Sequence, residues 1–187
     1  VTRGFGRGSK DLGCPTANLP DSSIAPYATT LQTGVYYGYA RVLDPKANPS
    51  NGEEEGSAFE QEKCDHDKVW PMVMSIGWNP FYNNETRTAE VHILHEYPSD
   101  FYGKELRVVM LGFIRPEFNY AGLDALIKDI NLDKQVALHS SSRPSYAAYA
   151  ADPFFSKPSE LPPPESDPSA VRVRPGERVD QVQEGRE

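Results

Sequence analysis

The sequence predicts a mainly β domain, either an antiparallel barrel or a sandwich, with one helix packed against it. Short runs of β-branched and aromatic residues alternate with turn-forming residues through most of the chain of 187 residues. Only residues 122–139 carry a strong helical pattern of apolar positions. Several strands at short spacing followed by one helix favour an antiparallel β architecture.

Four strands are predicted, each bounded by turn residues. Residues 33–43 and 69–78 are rich in Val, Tyr and Trp and are expected to be neighbours in the sheet. Pro71 lies near the start of the second run, where a strand tolerates proline. The third and fourth strands are predicted at residues 88–97 and 105–114.

The third predicted strand alternates between an apolar and a polar side. With a period of two, one face carries Ala89, Val91, Ile93 and His95, and the other carries Glu90, His92 and Leu94. Glu90 is thus a carboxylate among apolar neighbours, although spacing alone fits a solvent-facing glutamate better. His92 and His95 point to opposite faces, which favours structural histidines over a metal-binding pair.

The helix is predicted from a stripe of apolar residues that recurs every three or four positions. The stripe is formed by Leu123, Leu126, Ile127 and Ile130. We expect this stripe to pack against the sheet.

A glycine-rich stretch extends from Gly4 to Pro20. Its first ten residues contain four glycines, which let backbone N–H groups approach phosphate oxygens closely. Arg7 and Lys10 add positive charge to the same turn. The pattern is typical of a phosphate-binding loop.

Thr16 and Asn18 follow within the same stretch and present oxygen atoms suited to Mg²⁺. They are two residues apart, so an extended backbone directs both side chains to one face. The stretch matches neither the P-loop, since Ser9 precedes Lys10 and Asp11 follows it, nor the dinucleotide fingerprint. On these residues alone, a glycine-rich hairpin without a ligand remains an equal alternative.

Composition excludes several classes of protein. A net charge of -8 argues against a nucleic-acid-binding protein. Cys14 and Cys64 have no zinc-site spacing, and the low cysteine content favours a reducing compartment without a disulfide. No apolar run is long enough to span a membrane. A cytoplasmic monomer is the default expectation, with an N-terminal targeting segment left open.

Two segments lack the composition of a core. Residues 44–68 form an acidic insert between the first two strands, expected to be a surface loop that a short turn could replace. The domain is therefore predicted at residues 1–139, followed by a charged extension rich in Pro and Ser at 140–187. Four aromatic residues could dock part of this extension: Tyr146, Tyr149, Phe154 and Phe155.

Six motifs in the same order resemble the riboflavin kinase (flavokinase) family, in its eukaryotic monofunctional type. The first motif is Gly4-Phe-Gly-Arg-Gly-Ser-Lys10 with Leu12-Gly-x-Pro-Thr-Ala-Asn18. The others are Thr33-Gly-Val-Tyr-Tyr-Gly38, Ser75-Ile-Gly-Trp-Asn-Pro80, Glu90-x-His-Ile-x-His95, Asp100-Phe-Tyr-Gly103 and Arg115-Pro-Glu117. The resemblance covers about residues 1 to 138.

This resemblance implies a six-stranded Greek-key barrel and transfer of the ATP γ-phosphate to the ribityl 5'-hydroxyl of riboflavin, giving FMN and ADP. It implies that Glu90 is the catalytic base and that Thr16 and Asn18 bind both ATP and Mg²⁺, for which Zn²⁺ or Mn²⁺ could substitute. Further implied ATP-binding residues are Gly4, Lys10, Ile93, His95 and Tyr102. Implied flavin-binding residues are Arg115, Phe118, Tyr120 and Asp124. Cys14 departs from the aliphatic residue usual in the family and should fill the same space.

Two other functions fit parts of the sequence. A non-catalytic barrel that binds flavin or nucleotide would share the glycine loop and the aromatic residues, but it needs neither the base nor the metal. An enzyme that continues from FMN to FAD would need a nucleotidyltransferase motif, H-x-G-H, which this sequence lacks. The reaction is therefore expected to stop at FMN.

Overall fold

The computed structural model describes residues 1–2, 14–27, 29–43, 68–78 and 87–158. Its strands are β1 (Ala17–Leu19), β2 (Gly34–Leu43), β3 (Trp70–Trp78), β4 (Arg87–Ile93) and β5 (Glu105–Arg115). Its α-helices are α1 (Asp21–Ile24), α2 (Leu123–Ser141) and α3 (Pro144–Ala147), with 3₁₀ turns at Ala25–Tyr27, Ala148–Ala151 and Pro153–Ser156.

The five strands form one antiparallel sheet in the order β1-β4-β3-β2-β5. The prediction of a mainly antiparallel β fold is confirmed, and β2 and β3 are neighbours as expected. Within the described residues, β1 and β5 are the edges of the sheet and do not pair with each other.

The third predicted strand is shorter than expected. β4 ends at Ile93, so the prediction of strand for residues 94–97 is wrong. The Leu94 N–H donates to the Pro71 carbonyl at 2.8 Å, and the His95 ring then stacks on Trp70 with centroids 4.0 Å apart. Both contacts hold the residues after β4 against the start of β3.

One face of the sheet forms the hydrophobic core. The predicted alternation in β4 is confirmed, because Ala89, Val91 and Ile93 are all buried in this core. Their neighbours in the cluster include Met72, Met74 and Ile76 of β3 and Tyr36, Ala40 and Val42 of β2. Burial of each large side chain contributes about 1.5–3 kcal/mol. The polar residues of β4 therefore lie on the opposite face.

Helix α2 packs on that opposite face, and its most buried residues lie outside the predicted stripe, of which Leu126, Ile127 and Ile130 are half-buried. Leu123 is 57% exposed, whereas the residues buried on the helix are Asp133, Ala137 and Ser141, spaced four apart. The Tyr39 hydroxyl donates to the Ser141 carbonyl at 2.9 Å. A small helix surface permits this close approach to the tyrosines of β2, so small residues rather than leucines are buried.

Residues 144–158 continue from α2 along β2 and β5. Phe155 is buried, and the Phe155 carbonyl accepts from Arg41 at 2.9 Å. Arg107 donates to the carbonyls of Phe154 and Lys157 at 2.7 and 2.6 Å. This part of the extension is docked, while residues 44–67 of the acidic insert and residues 159–187 of the tail lie outside the described residues. The predicted domain boundary at residue 139 remains a prediction.

Among the helices that the structure describes, none is both long and apolar enough to cross a membrane.

Candidate active site

A row of directly paired residues crosses the polar face of the sheet. Glu90 of β4 pairs with Asn18 of β1 on one side and with Ser75 of β3 on the other. Ser75 pairs in turn with Val35, and Val35 with Arg115 at the end of β5. Directly paired residues project from the same face of an antiparallel sheet. The row therefore brings together side chains that are far apart in the sequence.

Thr16 contributes a hydroxyl to this row. Its Oγ1 donates to Oε2 of Glu90 at 3.3 Å, just before the chain enters β1. The preceding residue is held by His92, whose Nδ1 lies 2.8 Å from the Pro15 carbonyl. A carbonyl can only accept, so Nδ1 carries the proton. Burial lowers the pKa of His92, which favours the neutral ring.

Cys14 lies at the start of the same segment. It is a free thiol, it is buried as predicted for an aliphatic replacement, and burial raises its pKa. The predicted phosphate ligands Gly4 and Lys10 lie outside the described residues. The residues on either side can be placed: Thr2 N–H donates to the Asn18 carbonyl at 2.9 Å, and Thr16 contacts Glu90. The described residue before the glycine-rich stretch and the described part of the stretch itself therefore both adjoin the row.

The predicted flavin-binding residues lie near the far end of the row. Arg115 forms a two-point ion pair with Asp133 of α2, through Nε at 3.0 Å and Nη2 at 2.7 Å. The Phe118 ring lies 5.1 Å from the Arg115 guanidinium, and Phe118 is 52% exposed. Asp124 is exposed in the first turn of α2.

Tyr120 is held by the helix instead of facing an open site. Its hydroxyl donates to Oδ2 of Asp129 at 2.7 Å. Burial, together with this hydrogen bond, raises the pKa of Tyr120 to about 12. The segment between β5 and α2 is thus attached to the helix at both of its ends, through Arg115 and through Tyr120.

The three predicted nucleotide-binding residues lie near the end of β4 and the start of β5. The Ile93 side chain is in the core, on the face opposite Glu90. His95 stacks on Trp70, and Tyr102 is exposed in the turn before β5. The structure does not bring these three side chains into the row.

Sequence reasoning missed two polar residues beside Glu90. Ser75 Oγ donates to Oε1 of Glu117 at 3.2 Å, which places a second carboxylate over β3. Both residues belong to motifs that the sequence offered, Ser75-Ile-Gly and Arg115-Pro-Glu, but neither had an assigned role. Only the strand register reveals that they meet.

The donor set suits a hard cation. Thr16, Asn18 and Glu90 offer a hydroxyl, an amide and a carboxylate, all oxygen ligands of the kind that Mg²⁺ prefers. Among the described residues, no group of three or more His, Cys, Asp and Glu side chains could hold a metal ion. The residues fit a cation that is bound by few protein oxygens and by substrate phosphates.

Comparisons with known proteins agree on one family. The family model described as riboflavin kinase matches residues 1–141. A riboflavin kinase of Pyricularia oryzae is 52% identical over 147 residues, covering 78% of this chain and 70% of that protein. A riboflavin kinase of Meyerozyma guilliermondii is 44% identical over 164 residues, covering 80% of this chain and 84% of that protein.

A solved structure is similar as well. The crystal structure of riboflavin kinase from Trypanosoma brucei matches with a TM-score of 0.60 and 26% identity, covering 87% of this chain and 89% of that one. The matching sequences and the matching fold lead to the same assignment. The chain belongs to the riboflavin kinase family, a family of transferases.

Proposed function

We propose that this chain transfers the γ-phosphate of ATP to the 5'-hydroxyl of riboflavin, with Glu90 as the base. The observation that carries the assignment of the site is the contact between Thr16 Oγ1 and Glu90 Oε2 at 3.3 Å, in the same row as Asn18. It joins the end of the glycine-rich stretch to a carboxylate on an interior strand. A phosphoryl-transfer site needs these parts together.

Glu90 accepts the proton of the attacking hydroxyl. The 5'-oxygen forms a bond to the γ-phosphorus, the bond from that phosphorus to the bridging oxygen breaks, and ADP leaves. A primary alcohol is a weak nucleophile at neutral pH, so a positioned carboxylate contributes on the order of 10²–10⁴-fold. Half-burial on β4 fixes the direction in which Glu90 points.

Thr16 and Asn18 hold the divalent cation, for which we propose Mg²⁺. Oxygen donors favour Mg²⁺ or Mn²⁺ over Zn²⁺, which prefers nitrogen and sulfur ligands. When bound, the cation neutralises the charge that develops on the phosphate oxygens. The Thr16 hydroxyl also orients the Glu90 carboxylate through the hydrogen bond that it donates.

The remaining substrate contacts are assigned from the family resemblance, since Ile93, His95 and Tyr102 lie outside the row. We assign Gly4 and Lys10 to the ATP phosphates and Ile93, His95 and Tyr102 to the rest of the nucleotide. We assign Arg115, Phe118, Tyr120 and Asp124 to the flavin. The exposed Phe118 ring and the guanidinium against it offer a flat surface suited to an aromatic ring system.

We also propose that the sheet closes into the six-stranded barrel that the resemblance implies, through the first residues of the chain. Thr2 forms an isolated bridge with Asn18 of the edge strand β1. Val1 O accepts from the Gly103 N–H at 3.0 Å, just before the other edge strand, β5. Val1 and Thr2 therefore lie between the two edges, where a closing strand is required.

The alternative, a barrel that binds flavin or nucleotide without catalysis, does not account for Glu90. A carrier has no use for a carboxylate held by a hydroxyl beside a cation site. The cytoplasmic location and the monomeric state remain predictions.

The direct test is incubation of the protein with riboflavin, ATP and Mg²⁺, followed by chromatographic detection of FMN. We expect FMN and ADP in equal amounts, and no FMN without the metal. Binding of riboflavin without any FMN, under conditions where a known riboflavin kinase is active, would favour the carrier.

A further inference from the structure

The second carboxylate beside the row, Glu117, has no role in the mechanism described above. Glu117 is exposed and follows β5 by two residues, yet its side chain reaches back over β3. Its Oε1 accepts from Ser75 Oγ at 3.2 Å. Ser75 is the direct strand partner of Glu90, so the two carboxylates lie on the same face of the sheet, beside the same serine.

The sheet makes room for this carboxylate at Gly77. A Cβ atom at Gly77 would lie 2.5 and 2.9 Å from the two carboxylate oxygens of Glu117, closer than real Cβ contacts. Gly77 is buried in the sheet two residues after Ser75, on the same face. The position of Glu117 thus depends on a glycine and a serine of β3.

The segment that carries Glu117 is fixed on both sides. Before it, Arg115 is held by two hydrogen bonds to Asp133. After it, Tyr120 is held by Asp129 at 2.7 Å. The contact with Ser75 is longer than either of these and is exposed to solvent. A ligand that supplies a hydroxyl can therefore replace the serine without displacing the segment.

The order of the row indicates which ligand this is. Thr16 and Asn18, assigned to the metal, lie on the β1 side of Glu90. Arg115 and Phe118, assigned to the flavin ring, lie on the β5 side. A substrate whose terminal hydroxyl meets Glu90 must run from β4 toward β5, and β3 is the first strand that it crosses. Adjacent strands are about 4.8 Å apart, so the hydroxyls next to the reacting one come over Ser75.

We propose that Glu117 binds the hydroxyl groups of the polyol chain of riboflavin. In the complex, a substrate hydroxyl replaces the Ser75 hydroxyl as the donor to Glu117. This inference rests on the proposed function and extends it to a subsite for the polyol. Glu117 is then a substrate-binding residue that selects flavins with a hydroxylated side chain. Glu90 remains the base.

The test compares two flavins that differ only in the side chain at N10. Riboflavin carries the polyol, and lumiflavin carries a methyl group. Binding of each is measured through flavin fluorescence, without ATP, for the wild-type chain, Glu117→Ala, Ser75→Ala and the control Glu96→Ala. Glu96 is an exposed carboxylate beyond the end of β4.

We expect Glu117→Ala to raise the Kd of riboflavin about 10- to 100-fold, as for loss of hydrogen bonds to a charged group. The Kd of lumiflavin should not change. Ser75→Ala should leave riboflavin binding unchanged or tighten it, since it releases Glu117 from its partner. Glu96→Ala should match the wild-type chain for both ligands.

Three results would overturn the proposal. Equal weakening of riboflavin and lumiflavin by Glu117→Ala would assign Glu117 to the folding of its segment. Unchanged riboflavin binding would remove any contact with the polyol. If Ser75→Ala weakened riboflavin binding as much as Glu117→Ala, the hydrogen bond between Ser75 and Glu117 would have a structural role only. Because these results are binding constants, they are separate from the FMN assay on the wild-type chain, which tests the proposed function.

Discussion

The polar face of the sheet has two halves that use their polar side chains in different ways. Above β4 and β3, Glu90 of β4 and Glu117, which follows β5, accept hydrogen bonds from side-chain hydroxyls at 3.3 and 3.2 Å. On β2 and β5, Arg41 and its strand partner Arg107 donate to three backbone carbonyls of the docked C-terminal segment at 2.6 to 2.9 Å.

The two halves differ in whether a substrate group could replace the hydrogen-bond partner of the side chain. A hydroxyl of a substrate can donate to Glu90 or Glu117 at little cost, because it makes the same kind of hydrogen bond as the hydroxyls of Thr16 and Ser75. The carbonyls around Arg107 belong to the folded chain, and a buried guanidinium that loses them is strongly destabilising. The first half is therefore suited to binding and the second to holding the domain together.

The largest effect is expected from Glu90→Gln. The amide keeps the size of the side chain and its contact with Thr16 but cannot accept a proton, so kcat should fall by about 10²–10⁴-fold. The Kd values of ATP and riboflavin should change little. Steady-state FMN formation and equilibrium binding measure the two separately.

The matched control for this variant is Glu96→Gln, which changes an exposed carboxylate and should keep the wild-type kcat. A Glu90→Gln protein with wild-type kcat would leave Glu90 as an orienting residue. It would also remove the functional difference between the two halves.

The second largest effect is expected in the other half, at two adjacent phenylalanines. Phe155 is 1% exposed and Phe154 is 41% exposed. Phe155→Ala should lower the free energy of unfolding by about 3–5 kcal/mol, because it leaves a cavity. Phe154→Ala should lower it by about 1 kcal/mol or less. Urea denaturation measures both.

Activity separates stability from function in the same pair of variants. At a temperature where each variant is folded, kcat for FMN formation should stay near that of the wild-type chain. Equal stability of the two variants would mean that the C-terminal segment is not part of the cooperative unit, and that Arg41 and Arg107 have another task.

The sequence allowed the faces of β4 to be predicted, because alternation with period two directly reports which side chains are buried. It placed Glu90 opposite Ala89, Val91 and Ile93, which the structure confirms. Through the family resemblance, it also selected Thr16, the residue whose hydroxyl contacts Glu90.

The contact between Ser75 and Glu117 could not be predicted in this way. The two residues are 42 positions apart and meet only because the segment after β5 folds back over β3. The buried face of α2 was missed for a related reason. Leucines usually mark the face of a helix that packs, but here α2 approaches the tyrosines of β2 closely, and its most deeply buried residues include Ala137 and Ser141.

A smaller effect is expected at the metal site. Thr16→Ala and Asn18→Ala should each raise the Mg²⁺ concentration needed for half-maximal activity by roughly tenfold, while the Kd of riboflavin changes little. Thr30→Ala serves as the control, since the Thr30 hydroxyl donates to the Tyr27 carbonyl in the turn before β2 and has no proposed role at the metal site. Identical Mg²⁺ titration curves for all variants would give Thr16 and Asn18 a structural role.

The smallest effect is expected at His92, which lies beside the site. Like Arg41 and Arg107 on β2 and β5, His92 bonds to a backbone carbonyl. Its ring is held by a backbone carbonyl, that of Pro15, and not by a hydroxyl. We therefore expect it to support the position of Thr16 without taking part in the reaction. His92→Asn keeps an N–H donor near the position of Nδ1 and removes the titratable ring.

Burial lowers the pKa of His92 in the folded chain below its usual value of 6.5. As the pH falls below 6.5, the unfolded chain binds a proton that the folded chain does not, so stability decreases until the folded pKa is reached. In urea denaturation from pH 7.5 to 5.5, the wild-type chain should therefore lose more stability than His92→Asn, by about 1 kcal/mol or less. Parallel pH profiles for the two proteins would show that His92 is not a buried neutral ring, and the segment before β1 would then be held on β4 by other contacts.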